Sequence, residues 1–236
     1  MSDKFTYLLL DLFTIAGPLF LSFDKKVAFY KSFKFLVPSV AITSFLYLVW
    51  DVWFTDAHIW KFNDTFLIGK FYFGLPLEEY FFFLVVPYAC LFIYRCLQAY
   101  FPQLTDKRWG NWANSGIMLL SAGIFMANIH KLYTAVTFGL ITITLGLILV
   151  VMRDEFKKYS AHLFIAWIVA IIPMFYVNGQ LTGLPVLIYN NSENLAIRIG
   201  TIPLEDFFYN YLYMLWMIVI YEFFNSKSQN LSGSTL

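Results

Sequence analysis

Long apolar runs alternate with short polar ones along this chain, at approximately 5–23, 33–50, 76–95, 112–129, 132–152, 160–177 and 203–224. A helix needs on the order of 20 apolar residues to cross the hydrocarbon core of a bilayer. The pattern therefore predicts an all-α integral membrane protein with seven transmembrane helices. Seven such spans use most of the 236 residues and leave no room for a sizeable soluble domain. The first run has no clear small-residue cleavage site and contains Asp11 and Pro18, so it reads as a retained helix and not a signal peptide. Beyond Tyr221 the chain turns polar and rich in Ser and Asn, which predicts a disordered tail over 226–236.

The spans repeat. Pro76-Leu77-Glu78-Glu79-Tyr80 recurs 127 residues later as Pro203-Leu204-Glu205-Asp206-Phe207. The same offset carries Asp51, at the end of span two, onto Asn178, at the end of span six, and carries spans one to three onto spans five to seven. Two parallel three-helix repeats follow, 1–103 and 132–225, with residues 104–131 as a connecting span that restores the orientation of the second copy.

Composition agrees. Apolar residues make up 60% of the chain and charged residues 13%, more apolar surface than one soluble core of this size can hide. A net charge of +1 argues against nucleic acid as a partner. Lys25, Lys26, Lys31, Lys34, Arg95, Lys107, Arg108, Arg153, Lys157, Lys158 and Lys227 all fall on one side of the predicted spans. Cytoplasmic loops carry the excess of Lys and Arg. The protein is thus expected in the cell membrane as a multi-pass chain, N-terminus outside and C-terminus cytoplasmic. Cys90 and Cys96 lie in one apolar run and read as small core residues.

Candidate chemistry concentrates in the repeated motif. Proline suits the first turn of a helix, and acids just after it suit the positive end of the helix dipole. That accounts for one carboxylate per helix. It accounts less well for Glu78, Glu79, Glu205 and Asp206, paired in both repeats and followed by aromatic runs. Neighbouring residues on a helix point about 100° apart, so one acid of each pair can face the bundle axis squarely. Ionisable groups at membrane depth are costly and usually functional. Asp11 lies inside span one without an acidic counterpart, and its plain reading is a buried acid bonded to a neighbouring helix. Tyr80, Phe81, Phe82 and Phe83 follow the first motif, and Phe207, Phe208 and Tyr209 belong to the second. Such belts usually anchor a protein at the interface. They would also line a cavity for a long apolar substrate, where aromatic faces stabilise a positive charge.

Other activities lack their residues. There is no G-x-G-x-x-G dinucleotide fingerprint, no aspartate-rich diphosphate motif and no clustered metal set among His58, His130 and His162. Residues 204–224 hold no lysine for a retinal Schiff base.

In these motifs the chain resembles the membrane-integral lycopene cyclases, found as small paired subunits in some bacteria and fused in archaeal and fungal relatives. The resemblance rests on Pro76–Glu79 and Pro203–Asp206, on Trp50-Asp51, and on Trp60 with Phe62-Asn63. It extends to Pro185, Tyr189-Asn190 and the run from Ile197 to Tyr209. It implies a lycopene β-cyclase acting on lycopene or a related acyclic carotenoid, with Glu78, Glu79, Glu205 and Asp206 as the catalytic positions. Glu79 and Glu205 are the first choices within the pairs. Asp51, Trp60, Tyr80, Phe81, Asn178 and Phe207 are the candidate substrate-binding residues. No cofactor or metal is evident from the sequence, and assistance by a reduced flavin or nicotinamide stays open. So do a homo-oligomer and association with other carotenoid enzymes. Membrane lipid is the expected surrounding. The rival classes are a transporter or proton pathway using intramembrane acids, and a non-catalytic carotenoid-binding subunit.

Overall fold

The computed structural model describes residues 3–233. Among them are seven long helices: α1 (Thr6–Leu21), α2 (Phe33–Asp56), α3 (Leu77–Tyr100), α4 (Arg108–Ala127), α5 (Leu132–Val151), α6 (Ser160–Gly183) and α7 (Leu204–Gly233). Six of these, all but α4, are long and apolar enough to cross a membrane. The fourth predicted span is therefore present as a helix but is less apolar than the rest. Its polar residues serve packing instead. The buried Asn114 amide donates to the carbonyls of Gly110, at 2.7 Å, and Ser160, at 3.2 Å, while the Tyr211 hydroxyl donates to its Oδ1. Gly110 lies so close to the Ala161 backbone that a Cβ would collide with it. Residues 226–233 continue α7 where composition predicted a disordered tail, and 234–236 lie outside the described residues.

The two halves repeat at the level of the backbone. Adding 127 to the bounds of α2 gives 160–183, the bounds of α6, and α3 and α7 start 127 residues apart. Ahead of each motif comes a two-stranded hairpin, β2 (Phe71–Tyr72) with β3 (Leu75–Pro76) in the first half. Its equivalent is β5 (Arg198–Ile199) with β6 (Ile202–Pro203). The first hairpin turns through Phe73 and Gly74, both at positive φ, as a tight two-residue turn requires.

The halves meet through equivalent surfaces. α3 packs on α6 and α2 on α7. At one end of the bundle, β1 (Trp60–Phe62) pairs antiparallel with β4 (Leu187–Tyr189). Lys61 opposes Ile188, its own equivalent at the 127-residue offset, so the pair lies on a local two-fold axis. The motif acids lie at this end. The basic loops gather at the other, where Lys157 pairs with Asp106 at 2.8 Å. That hydrogen bond and the ammonium charge hold the Asp106 carboxyl below its ordinary range. Phe20, Val150 and Ile172 are more than two-thirds exposed on the outer surface, as lipid-facing side chains are. α7 buries Leu212, Met214, Leu215, Met217 and Ile218 completely and forms the centre.

Candidate active site

The four motif acids separate into two pairs by their position in the motif. The first acid of each copy clamps the backbone ahead of it. Glu78 Oε1 accepts the Ile68 N–H at 2.7 Å, and Glu205 Oε1 accepts the Leu195 N–H at 2.7 Å. Ile68 and Leu195 are themselves 127 residues apart. Glu205 also accepts the Thr134 hydroxyl at 2.6 Å. Both acids are fully buried, yet neither reaches the cavity described below. Each orders the segment leading into its hairpin.

The second acids, Glu79 and Asp206, point into one cavity together with Asp51 and Asn178. Helix geometry separates the roles, since the neighbouring first acid is turned about 100° away. Glu79 accepts a hydrogen bond from the Tyr7 hydroxyl at 2.5 Å, which α1 supplies. Asp51, at the end of α2, lies beside Glu79 and accepts the Trp60 indole N–H at 2.7 Å. Asp206 accepts three donors: the hydroxyls of Tyr133, at 2.7 Å, and Tyr189, at 2.8 Å, and the Asn178 amide at 3.3 Å. Carboxyls from both repeats are thereby brought to one end of one cavity.

From that end the cavity runs between α3 and α6 as an apolar slot. Glu79, Phe83, Val86, Cys90 and Ile93 line it from one face of α3, recurring at helical spacing. The 14 residue steps from Glu79 to Ile93 correspond to about 21 Å of helix. Val177, Met174, Pro173 and Ala170 face them from α6. Thr14, Val86 and Ile93 are only half-buried and Pro173 is exposed, so the slot opens sideways onto the outer surface of the helices. Aromatic rings crowd its acid end, where Trp60 and Tyr133 sit edge to face at 5.3 Å and Tyr133 stacks on Tyr189 at 6.0 Å.

Of the residues singled out in the sequence, Asp51, Trp60, Glu79, Asn178 and Asp206 meet in this cavity. Glu78, Glu205, Tyr80, Phe81 and Phe207 are outside its wall. Tyr80 donates to the Tyr72 carbonyl at 2.8 Å and braces the first hairpin, and Phe81 is exposed. Phe207 packs on Phe175, while its carbonyl accepts the Trp167 indole at 3.0 Å. Asp11 is buried, but no neighbouring helix offers its carboxyl a hydrogen bond. Sequence reasoning missed Tyr7 and Tyr133 as partners of the acids. Tyr133 stands one residue before the position equivalent to Tyr7, a signal that only the repeat offset exposes.

Among the described residues, no group of three or more His, Cys, Asp and Glu is arranged to hold a metal ion. A family model described as Lycopene cyclase matches residues 4–97 and 130–224, one segment in each repeat. No curated protein and no solved structure gives a significant match.

Proposed function

The chain belongs to the lycopene cyclase family, and from that premise we propose that it closes the end groups of lycopene into β rings by acid catalysis, without net redox change. The observation that carries this reading is the meeting of Glu79, Asp51 and Asp206 at one end of a mostly apolar slot. A general acid must deliver a proton to C2 of the end group. The resulting cation at C1 is attacked by the C5–C6 double bond, which forms the C1–C6 bond and leaves the charge at C5. Loss of the C6 proton then gives the β ring. One proton enters, one leaves, and the product is an isomer of the substrate.

The hydrogen bonds divide the roles. Asp206 accepts from three donors, an arrangement that suits an ionised carboxylate. It is the proposed charge stabiliser and acceptor of the C6 proton. Glu79 and Asp51 lie side by side with one strong donor each, and Asp51 Oδ2 has no partner of its own. A proton held between them removes the repulsion of two adjacent carboxylates, which makes this pair the proposed donor. The rings of Trp60, Tyr133, Tyr189 and Tyr209 line the same end and offer their faces to the cation.

The lysine and arginine asymmetry supports seven crossings with the N-terminus outside, placing the acid end of the slot toward the outer face. A reporter fused after Asn225 is expected to be active in the cytoplasm, and one near Asp64 is not.

Expression in lycopene-producing cells, followed by pigment extraction, tests the activity. Cyclic carotenoid is expected, and in deuterated water each new ring gains one deuterium at C2. Unchanged lycopene beside membrane-inserted protein overturns the proposal. So does ring carbon labelled from a reduced cofactor with none from solvent.

A further inference from the structure

The two-fold arrangement of the helices provides two equivalent interfaces, α3 with α6 and α2 with α7, and the slot described above lies in the first. The second is filled. Where the slot has Met174 and Val177, the equivalent positions on α2 are Tyr47 and Trp50. Where it has Val86, α7 has Tyr213. The Tyr47 ring lies 4.5 Å from that of Tyr213 and 4.7 Å from that of Tyr209, and Trp50 stands 4.9 Å from Tyr209. Tyr47 is fully buried and its hydroxyl donates to the Tyr209 carbonyl at 3.1 Å. No room is left between α2 and α7 for a second polyene.

The slot that does exist carries its carboxyls at one end only. Asp51, Glu79, Asn178 and Asp206 all stand at the end where α3 begins, and the wall from Val86 to Ile93 is apolar. A linear polyene lying in it can bring one end group to the carboxyls while its remaining length runs along α3 and α6 or out into lipid. Among the described residues, no acid lines the slot at its other end, where the nearest α3 side chains are Cys90 and Ile93.

We infer that the α3–α6 slot binds an acyclic carotenoid end-on and cyclises one end group per visit, so that the singly cyclised product leaves and re-enters reversed before a second ring forms. This inference rests on the cyclase reading above. The slot must accept a polyene chain that carries either an open end or a ring at the distal end. Substrates without a long tail lose the contacts along Val86, Cys90, Ile93 and Ala170.

A pulse–chase assay on the full chain in proteoliposomes tests it. Labelled lycopene is supplied first, followed within the first turnovers by a large excess of unlabelled lycopene. Labelled monocyclic carotenoid is expected to accumulate, and labelled bicyclic carotenoid to fall by the factor of the dilution. Formation of labelled bicyclic product at the unchased rate overturns the inference, whether one chain retains its substrate or a second copy receives the other end. Absence of any cyclic product overturns the cyclase reading itself, and this inference with it. A substitution gives an independent readout. Ala170→Phe narrows the slot away from the carboxyls and is expected to lower kcat/KM for lycopene by about tenfold or more. A truncated acyclic polyene with the same end group should be spared. An equal loss on both substrates means that the tail does not lie along α6.

Discussion

Residues 170–181 of α6 and 43–54 of α2 hold the same place in their repeats, yet one stretch lines a slot and the other fills it. The backbone is shared and helix bounds agree to the residue. The difference lies in side-chain volume at a few equivalent positions, Met174 against Tyr47, Val177 against Trp50 and Val86 against Tyr213. Interiors are close-packed, so larger residues on one side of a two-fold axis are enough to close one cavity and leave the other. The acids diverge in parallel: Asp51 on one side is answered by Asn178 on the other, and Glu79 by Asp206. A symmetric frame thereby holds a single cavity whose two sides present different polar groups.

That contrast can be broken experimentally. The largest effect is expected at the second acids. Glu79→Gln and Asp206→Asn keep side-chain size but remove the carboxyl, and each should lower cyclisation by about 10²–10⁴-fold, the usual contribution of general acid–base groups. Pigment yield per membrane-inserted chain measures it. Next comes transplanting the filled interface onto the open one. Met174→Tyr together with Val177→Trp should block the slot and abolish turnover while the protein still inserts and keeps its thermal midpoint. Retained activity would show that substrate does not enter between α3 and α6. The converse, Tyr47→Ala, empties the filled side and should cost about 3–5 kcal/mol of stability, as large-to-small core changes do. Unfolding in detergent reads that loss, and no second site is expected to appear. The smallest effects belong to the clamps. Glu78→Gln and Glu205→Gln retain a carbonyl oxygen for the Ile68 and Leu195 N–H groups, so activity should stay near wild type. Glu78→Ala and Glu205→Ala, which leave those donors unsatisfied, should cost about 1–3 kcal/mol each.

Much of this was legible in the sequence. Hydropathy located the helices, and the 127-residue offset identified the repeat and the acids. Only α4 departed from the span pattern, because the buried polar residues Asn111, Asn114 and Ser121 lower its hydropathy. Within each motif, the choice of Glu79 with Glu205 was inconsistent with the repeat itself, since the offset equates Glu79 with Asp206. Which acid faces inward depends on helix rotation, and rotation is set by packing across the two-fold axis. The donors Tyr7 and Tyr133 were harder to read. They come from α1 and α5, and a hydrogen bond between residues 72 or 73 positions apart leaves no local pattern. The aromatic runs were misleading in part. Alternate rings of the same run face lipid, a hairpin or the slot, so Phe81 and Phe83 serve different surroundings.

The pairing of β1 with β4 has a kinetic consequence. In this ladder Trp60 stands directly opposite Tyr189, and these are the residues that bond Asp51 and Asp206. A slip of one residue would turn the side chains of one strand to the other face of the ribbon and strip its carboxyl of a donor. The two strands lie more than 120 residues apart in the chain. Contacts so distant in sequence form late, after the local helices, because loop closure is slow. The first repeat leaves the ribosome with Asp51 and Glu79 already on adjacent helices, but its strand has no partner until the second copy is synthesised. The site is therefore completed late: a chain arrested before β4 carries Asp51 and Glu79 with their donors Trp60 and Tyr7, but lacks Asp206 and the strand that faces Trp60.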